Sequence, residues 1–159
     1  GRREARHRSI MREEDGTVGE TRWETRKAAE REAKGSTSSM DGIALALPAL
    51  LRAQKLQKRA ARDGFDWPDT EGPEAKIIEE IQELKSAPAE MMEEEAGDLL
   101  FAAVNFVRAH GIDAESALRA ANAKFERRYR AMEGKAAGGF AELSLDQQEA
   151  LWQAVKRDE

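Results

Sequence analysis

The sequence contains no cysteine, and that absence excludes several kinds of chemistry at once. Disulfide bridges, zinc sites with thiolate ligands and cysteine nucleophiles are all ruled out for these 159 residues. No apolar run approaches the roughly 20 residues that a membrane-spanning helix needs. Residues 1–9 are polar and charged, unlike the apolar segment of a secretory signal. We therefore expect a cytoplasmic protein with no membrane partner.

The sequence also has no excess of basic residues. The 26 Lys and Arg residues face 31 Asp and Glu residues, for a net charge of −5. This balance argues against a nucleic-acid polymer as partner, because such binding relies on a positive surface. No G-x-x-x-x-G-K-[ST] motif occurs, so a P-loop is excluded. What the sequence does have is 36% charged and 40% apolar residues, in a mixture rich in helix formers that favours an all-α protein.

The apolar pattern predicts a polar arm over residues 1–39 and one helical domain over residues 40–159. Within the arm, residues 25–34 could form a short solvated helix. In the domain we predict four or five helices packed as an antiparallel bundle. The first begins after a cap at Ser39 or Asp41 and has Leu45 in its apolar stripe. The others span about 73–85, 89–110, 113–133 and 143–157, with Gly111 as the stop of the third helix and Ser144 as a candidate cap of the last. The buried stripes predicted for the second and fourth helices are Ile77, Ile81 and Leu84, and Leu118, Ala121, Phe125, Tyr129 and Met132.

Two pairs of carboxylates stand out in the middle of the chain, where a helical hairpin would bring them together. Glu80 and Glu83 lie three residues apart on the second predicted helix, and Glu95 and Asp98 have the same spacing on the third. At about 100° per residue, Glu80 and Glu83 fall along one edge of the apolar stripe. Glu79 points further toward solvent. Asn105 follows Asp98 by two turns, so it could serve the same site.

Like charges at this spacing destabilise a helix, so the acidic cluster needs a partner. Residues 86–107 contain no Lys or Arg, and local salt bridges therefore do not explain it. A hard divalent cation does, because carboxylate oxygens suit Mg²⁺, Mn²⁺ or Ca²⁺. The alternative is a solvated acidic face. A di-iron centre is less suitable, since it normally requires Glu-x-x-His on facing helices. These two helices carry Glu-x-x-Glu and Glu-x-x-Asp instead, and His7 and His110 are badly placed for such a centre. Basic residues at 119–130 would contact phosphates.

The same residues resemble a known family. EEIQE at 79–83, eleven further residues and EAGD at 95–98 are similar to the signature of the MazG-type all-α nucleoside triphosphate pyrophosphohydrolases. Segments 39–69, 97–111, 121–133 and 150–159 also resemble this family, so the likeness extends over about three quarters of the chain. One departure is visible: Met91 stands where a lysine is expected in some relatives.

The resemblance implies hydrolysis of a nucleoside triphosphate to the monophosphate and pyrophosphate, with Mg²⁺ as cofactor, Mn²⁺ as its substitute, and a homodimer. It implies that Glu80, Glu83, Glu95 and Asp98 ligate the metal. Glu79 or Glu80 is our candidate for the catalytic proton acceptor. The predicted substrate-binding residues are Asn122, Lys124, Arg127, Arg128, Trp152 and Lys156. The alternative function is a helical domain that binds nucleotides or a partner without turnover.

Overall fold

The computed structural model describes residues 25–27, 29 and 37–159, and its regular elements are all helical. Five α-helices lie between residues 37 and 159: α1 (Ala49–Arg62), α2 (Glu71–Ser86), α3 (Met92–Ala109), α4 (Ala114–Lys135) and α5 (Leu145–Arg157). Short 3₁₀ turns occur at Ala89–Met91 and Phe140–Glu142. No strand occurs among the described residues, which confirms the predicted all-α class. Most of the predicted arm lies outside them, although residues 25–27 and 29 are helical and exposed.

The first helix begins later than the sequence predicts. Asp41 does not cap a helix; its carboxylate accepts hydrogen bonds from the backbone N–H groups of Thr37 and Ser38, at 3.0 and 3.1 Å. Helix α1 starts only after Pro48, because a proline disfavours helical backbone in the residue before it. Leu45 is consequently 85% exposed, and its predicted place in the apolar stripe is wrong.

Helices α2 and α3 form a hairpin, and α3 also packs against α1. The buried residues of α2 are Pro73 and Glu80, two turns apart, whereas Ile81 is 40% exposed. Glu80 therefore lies at the centre of the buried stripe of α2, not at its edge as predicted. Helix α3 follows the 3₁₀ turn and ends before Gly111, whose φ of +74° suits glycine at a helix C-terminus.

The chain divides into two compact units, one ending at Glu115 and the other comprising Ser116–Glu159. In the first unit, the buried side chain of Gln54 connects α1 to the segment after α3. Its Nε2 donates to the carbonyl of Ile112 at 3.1 Å, and its Oε1 accepts from the N–H of Ala114 at 2.8 Å. No helix in the described part of the chain is both long enough and apolar enough to cross a membrane.

The second unit contains most of α4, together with α5. Ser144 caps α5 in a reciprocal capping box with Gln147, as its position in the sequence predicted. Met132 is buried as predicted, but Phe125 and Leu118 are 58% and 47% exposed. Their predicted burial is wrong for this chain: Phe125 stays exposed even though its ring centre lies 6.0 Å from that of Trp152 on α5. The other two residues of the predicted stripe, Ala121 and Tyr129, are exposed as well.

Candidate functional site

Three carboxylates meet in the first unit, one from α2 and two from α3. Ligand oxygens of Glu80, Glu95 and Asp98 lie within 4.8 Å of one another. Glu80 and Glu95 are 5% and 4% exposed. Carboxylates held this close repel one another when ionised, unless a proton or a cation compensates them. The hairpin predicted from the sequence thus gathers three of the four expected acids, which we call the acidic cluster.

The contacts of Glu80 show that the acidic cluster suits a cation. Lys76, one turn earlier on α2, places its Nζ 3.0 Å from Oε1 of Glu80 and 3.4 Å from Oε1 of Glu79. The second oxygen of Glu80, Oε2, is buried without a hydrogen-bond partner among the described residues. A buried charged oxygen without a partner is costly, and a bound cation would satisfy it. We call the Lys76–Glu80 contact the lysine bridge.

The lysine bridge is not among the features predicted from the sequence, because Lys76 lies outside the base-free window of residues 86–107. Its signal was present in the sequence all the same. Lysine four residues before glutamate places the two side chains on one face of a helix. Part of the acidic charge is thus balanced within α2, contrary to the expectation that no local base contributes.

Glu79 and Glu83 have the opposite burial from that expected. Glu83 is exposed and is not part of the acidic cluster, whereas the side chain of Glu79 is only 21% exposed beside Lys76. Glu83 lies one turn nearer the α2–α3 connection, where Met92 is also 48% exposed. The burial of these two glutamates therefore depends on their position along the axis of the hairpin as well as on helical phase.

A cavity of about 520 Å³ adjoins the acidic cluster within the first unit. Glu80, Asp98 and Lys76 line one part of it. Much of the remaining wall is apolar or aromatic, from Leu56, Phe65, Trp67 and Phe101. Small-molecule sites commonly have volumes of roughly 300–1,000 Å³, with few polar groups on largely apolar walls. The cavity thus matches a site for an organic molecule that carries an apolar or aromatic portion.

In the second unit, Arg128 and Trp152 are brought together. The guanidinium carbon of Arg128 lies 5.3 Å from the centre of the Trp152 ring. Two hydrogen bonds of 2.7 and 2.8 Å join Arg128 to the carboxylate of Glu159. The hydrogen bond from Arg128 holds the pKa of Glu159 below its ordinary value, and the charges of Arg127 and Lys124 lower it further.

The same hydrogen bonding, in which Arg128 donates to Glu159, raises the pKa of Arg128. The basic segment of α4 therefore already engages an anionic oxygen pair. The remaining predicted substrate-binding side chains in this unit are exposed: Asn122, Lys124, Arg127 and Lys156.

Comparison with known proteins places this geometry in context. Residues 72–132, which include the acidic cluster, match the model of the MazG nucleotide pyrophosphohydrolase domain. The nucleoside triphosphate pyrophosphohydrolase of Escherichia coli (strain K12) is 48% identical over 148 residues, which cover 87% of this chain and 56% of that protein. The nucleoside triphosphate pyrophosphohydrolase/pyrophosphatase MazG of Thermotoga maritima is 42% identical over 139 residues, 84% of this chain and 54% of that protein.

A third relative carries no functional name. The uncharacterized protein YabN of Bacillus subtilis (strain 168) is 40% identical over 145 residues, 86% of this chain and 29% of that protein. The chain thus spans about half the length of the E. coli and T. maritima relatives, at 56% and 54%.

Proposed function

We propose, from the premise that this chain belongs to the MazG nucleotide pyrophosphohydrolase family, that it hydrolyses nucleoside triphosphates to the monophosphate and pyrophosphate. The observation that carries this proposal is the buried acidic cluster, which lies within the matched residues 72–132 and adjoins a cavity. The names of the E. coli and T. maritima relatives support the reaction class. Water would attack the α-phosphorus, and pyrophosphate would leave.

We propose Mg²⁺ as the cofactor, with Mn²⁺ as a substitute. Glu80, Glu95 and Asp98 would hold it, because they offer only oxygen ligands and Oε2 of Glu80 has no partner among the described residues. Glu83 stays a predicted ligand on the strength of the family pattern. When bound, the cation supplies positive charge that acidifies water and neutralises phosphate oxygens.

We assign proton transfer to side chains near the acidic cluster, and substrate binding to side chains on α4 and α5. Glu79, partly buried beside Lys76, is our preferred proton acceptor for the attacking water, and Glu80 is the other candidate. Arg128 already binds two carboxylate oxygens, which supports a proposed role in binding phosphate. The other proposed substrate contacts are Asn122, Lys124, Arg127, Trp152 and Lys156.

We also propose that the chain forms a homodimer in the cytoplasm. Ile78, Ile81 and Leu100, on α2 and α3, are 57%, 40% and 61% exposed. Large apolar side chains exposed on neighbouring helices support a protein interface. Light scattering after size-exclusion chromatography should give twice the mass of one chain, and Ile78→Glu should lower it. A single-chain mass for the unmodified protein would refute the dimer.

The reaction is tested by measuring pyrophosphate release from each common nucleoside triphosphate, with and without Mg²⁺. We expect release only with Mg²⁺ or Mn²⁺. We also expect Mg²⁺ to raise the melting temperature, because it binds the folded state. The alternative of binding without turnover predicts that nucleotides raise the melting temperature while no pyrophosphate appears. That result would overturn the enzyme proposal.

A further inference from the structure

The amide of Asn105 has a defined orientation in the wall of the cavity. Its Oδ1 accepts hydrogen bonds from Nε and Nη2 of Arg108, at 2.9 and 2.8 Å. Arginine has no acceptor atom, so the oxygen of Asn105 must face it and the NH₂ group must point elsewhere. Asn105 therefore presents a donor and no free acceptor.

Arg108 is itself held in place by the loop before α2. Its Nη2 lies 2.6 Å from Oδ1 of Asp66, and its Nη1 lies 3.4 Å from Oδ2. Arg108, Asp66 and Asn105 all line the cavity. The side chain of Arg108 is only 13% exposed, so this ion pair is partly shielded from water. Asp66 and Arg108 thus act as positioning residues for the Asn105 amide.

Gln57 adds a second unusual polar group to the same cavity. Its Nε2 donates to the carbonyl of Phe101 at 2.9 Å, while its Oε1 is buried without a hydrogen-bond partner among the described residues. Gln54, one turn earlier on α1, has both amide atoms bonded to backbone. Two buried glutamines on one helix thus differ in one respect: only the glutamine that lines the cavity retains an unused acceptor.

The aromatic part of the wall suits a flat ring. Trp67 and Phe65 line the cavity, and the Trp67 ring lies against Gly72 of α2. A heteroaromatic ring can stack on such side chains and still exchange hydrogen bonds along its edge. A nucleobase has both properties, and Glu80 and Asp98, proposed to hold the metal, line the same cavity.

We infer that the cavity takes the nucleobase of the substrate and that Nδ2 of Asn105 donates to a carbonyl oxygen of that base. The inference rests on the proposed function. A donor fixed at this position favours a carbonyl over an amino group, because an amino group would leave two donors facing each other. The chain should therefore prefer hypoxanthine to adenine and uracil to cytosine, by about tenfold.

The test compares substrates whose bases differ mainly in carrying a carbonyl or an amino group at one position. The ratio of kcat/KM for ITP to that for ATP, and for UTP to that for CTP, should exceed one in the unmodified protein. Asn105→Asp keeps one oxygen for Arg108 and turns the second group into an acceptor, so both ratios should fall by about tenfold or more. Asp66→Asn should move both ratios toward one, since it loosens Arg108.

Gln54→Met is the matched control, because it removes a buried amide of α1 that does not line the cavity. It should lower the melting temperature and leave both ratios unchanged. Substrate ratios that are equal in the unmodified protein would overturn the inference, even if Asn105→Asp fails to fold. Ratios that do not respond to a folded Asn105→Asp would overturn it as well.

Failure of the inference is distinguishable from failure of the proposed function. If pyrophosphate is released but the ratios equal one, the function stands and the role of Asn105 is refuted. If no triphosphate is hydrolysed, calorimetric titration with IMP and AMP tests the cavity without turnover. Tighter binding of IMP would support the role of Asn105, and equal affinities would refute it.

Discussion

The two units use the same acidic residue types in opposite ways. In the first unit, Glu80 and Glu95 are 5% and 4% exposed and stand close to a third carboxylate. In the second, the side chains of Asp158 and Glu159 are 65% and 37% exposed, with Lys135 and Arg128 at 2.9 and 2.7 Å. Composition does not separate these regions, since both mix acids with bases. Burial and the grouping of like charges separate them.

This difference shows which acids to associate with a ligand. Exposed ion pairs contribute little to stability, because water already solvates both charges. Buried carboxylates next to one another are unfavourable, and they persist only where something compensates them. Lys76 compensates one oxygen of Glu80, and the other has no partner among the described residues. The acidic cluster is therefore the better candidate for function.

The largest expected effect comes from Glu80→Gln, which removes one charge from the acidic cluster. Pyrophosphate release should fall by about a hundredfold or more. The melting temperature in EDTA should rise, because repulsion among the carboxylates is relieved. Glu126→Gln is the control, since Glu126 forms an exposed ion pair with Arg130 at 3.1 Å, and it should change neither quantity. A melting temperature that falls together with activity would give Glu80 a structural role in the lysine bridge.

The next effect concerns packing, and it contrasts one glycine from each unit. A methyl group added at Gly72 would overlap the Trp67 ring, whereas one added at Gly134 meets no atom within 4 Å. Gly72→Ala should lower the free energy of unfolding by about 1–3 kcal/mol. Gly134→Ala, within α4, should raise it by up to about 0.5–1 kcal/mol. Urea denaturation measures both changes. A Gly72→Ala variant that is as stable as the unmodified protein would show that Trp67 moves aside freely.

A smaller effect should follow loss of the α5 cap in the second unit. Oγ of Ser144 accepts from the N–H of Gln147 at 3.2 Å, and Oε1 of Gln147 accepts from the N–H of Ser144 at 2.9 Å. Ser144→Ala should lower the free energy of unfolding by about 1 kcal/mol. Ser86→Ala is the control, because Ser86 is exposed at the end of α2 and its hydroxyl donates to the carbonyl of Gln82 in the same helix. Activity should change in neither variant.

The smallest effect concerns the exposed Lys135–Asp158 pair. The hydrogen bond from Lys135 holds the pKa of Asp158 below its ordinary value. A lowered pKa in the folded state stabilises the protein above the unfolded pKa, about 4, and the stabilisation is lost as the pH falls through the folded value. Thermal scans should show Lys135→Met slightly less stable than the unmodified protein at pH 7. The difference should disappear in acid, and one that persists there would indicate a packing role for Lys135.

Local sequence signals predicted the helices and several of their ends. Helix α3, predicted over about 89–110, spans Met92–Ala109 after a 3₁₀ turn, and Gly111 stops it as expected. Ser144 caps α5 as expected. These features depend on residues a few positions apart, so the sequence carries them directly. The all-α class and the hairpin that gathers Glu80, Glu95 and Asp98 follow from the same local patterns.

Only the tertiary structure decided which side of each helix is covered. Glu83 and Ile81 are exposed and Glu79 is partly buried, although helical phase favoured the reverse for the two glutamates. The orientation of the Asn105 amide also depends on Asp66, 39 positions earlier in the chain. Burial and amide orientation are set by neighbours distant in sequence, which a repeat of 3.6 residues does not encode. The sequence by itself thus determined the helices and the acids they carry, and the packing determined which of those acids meet and what faces the cavity.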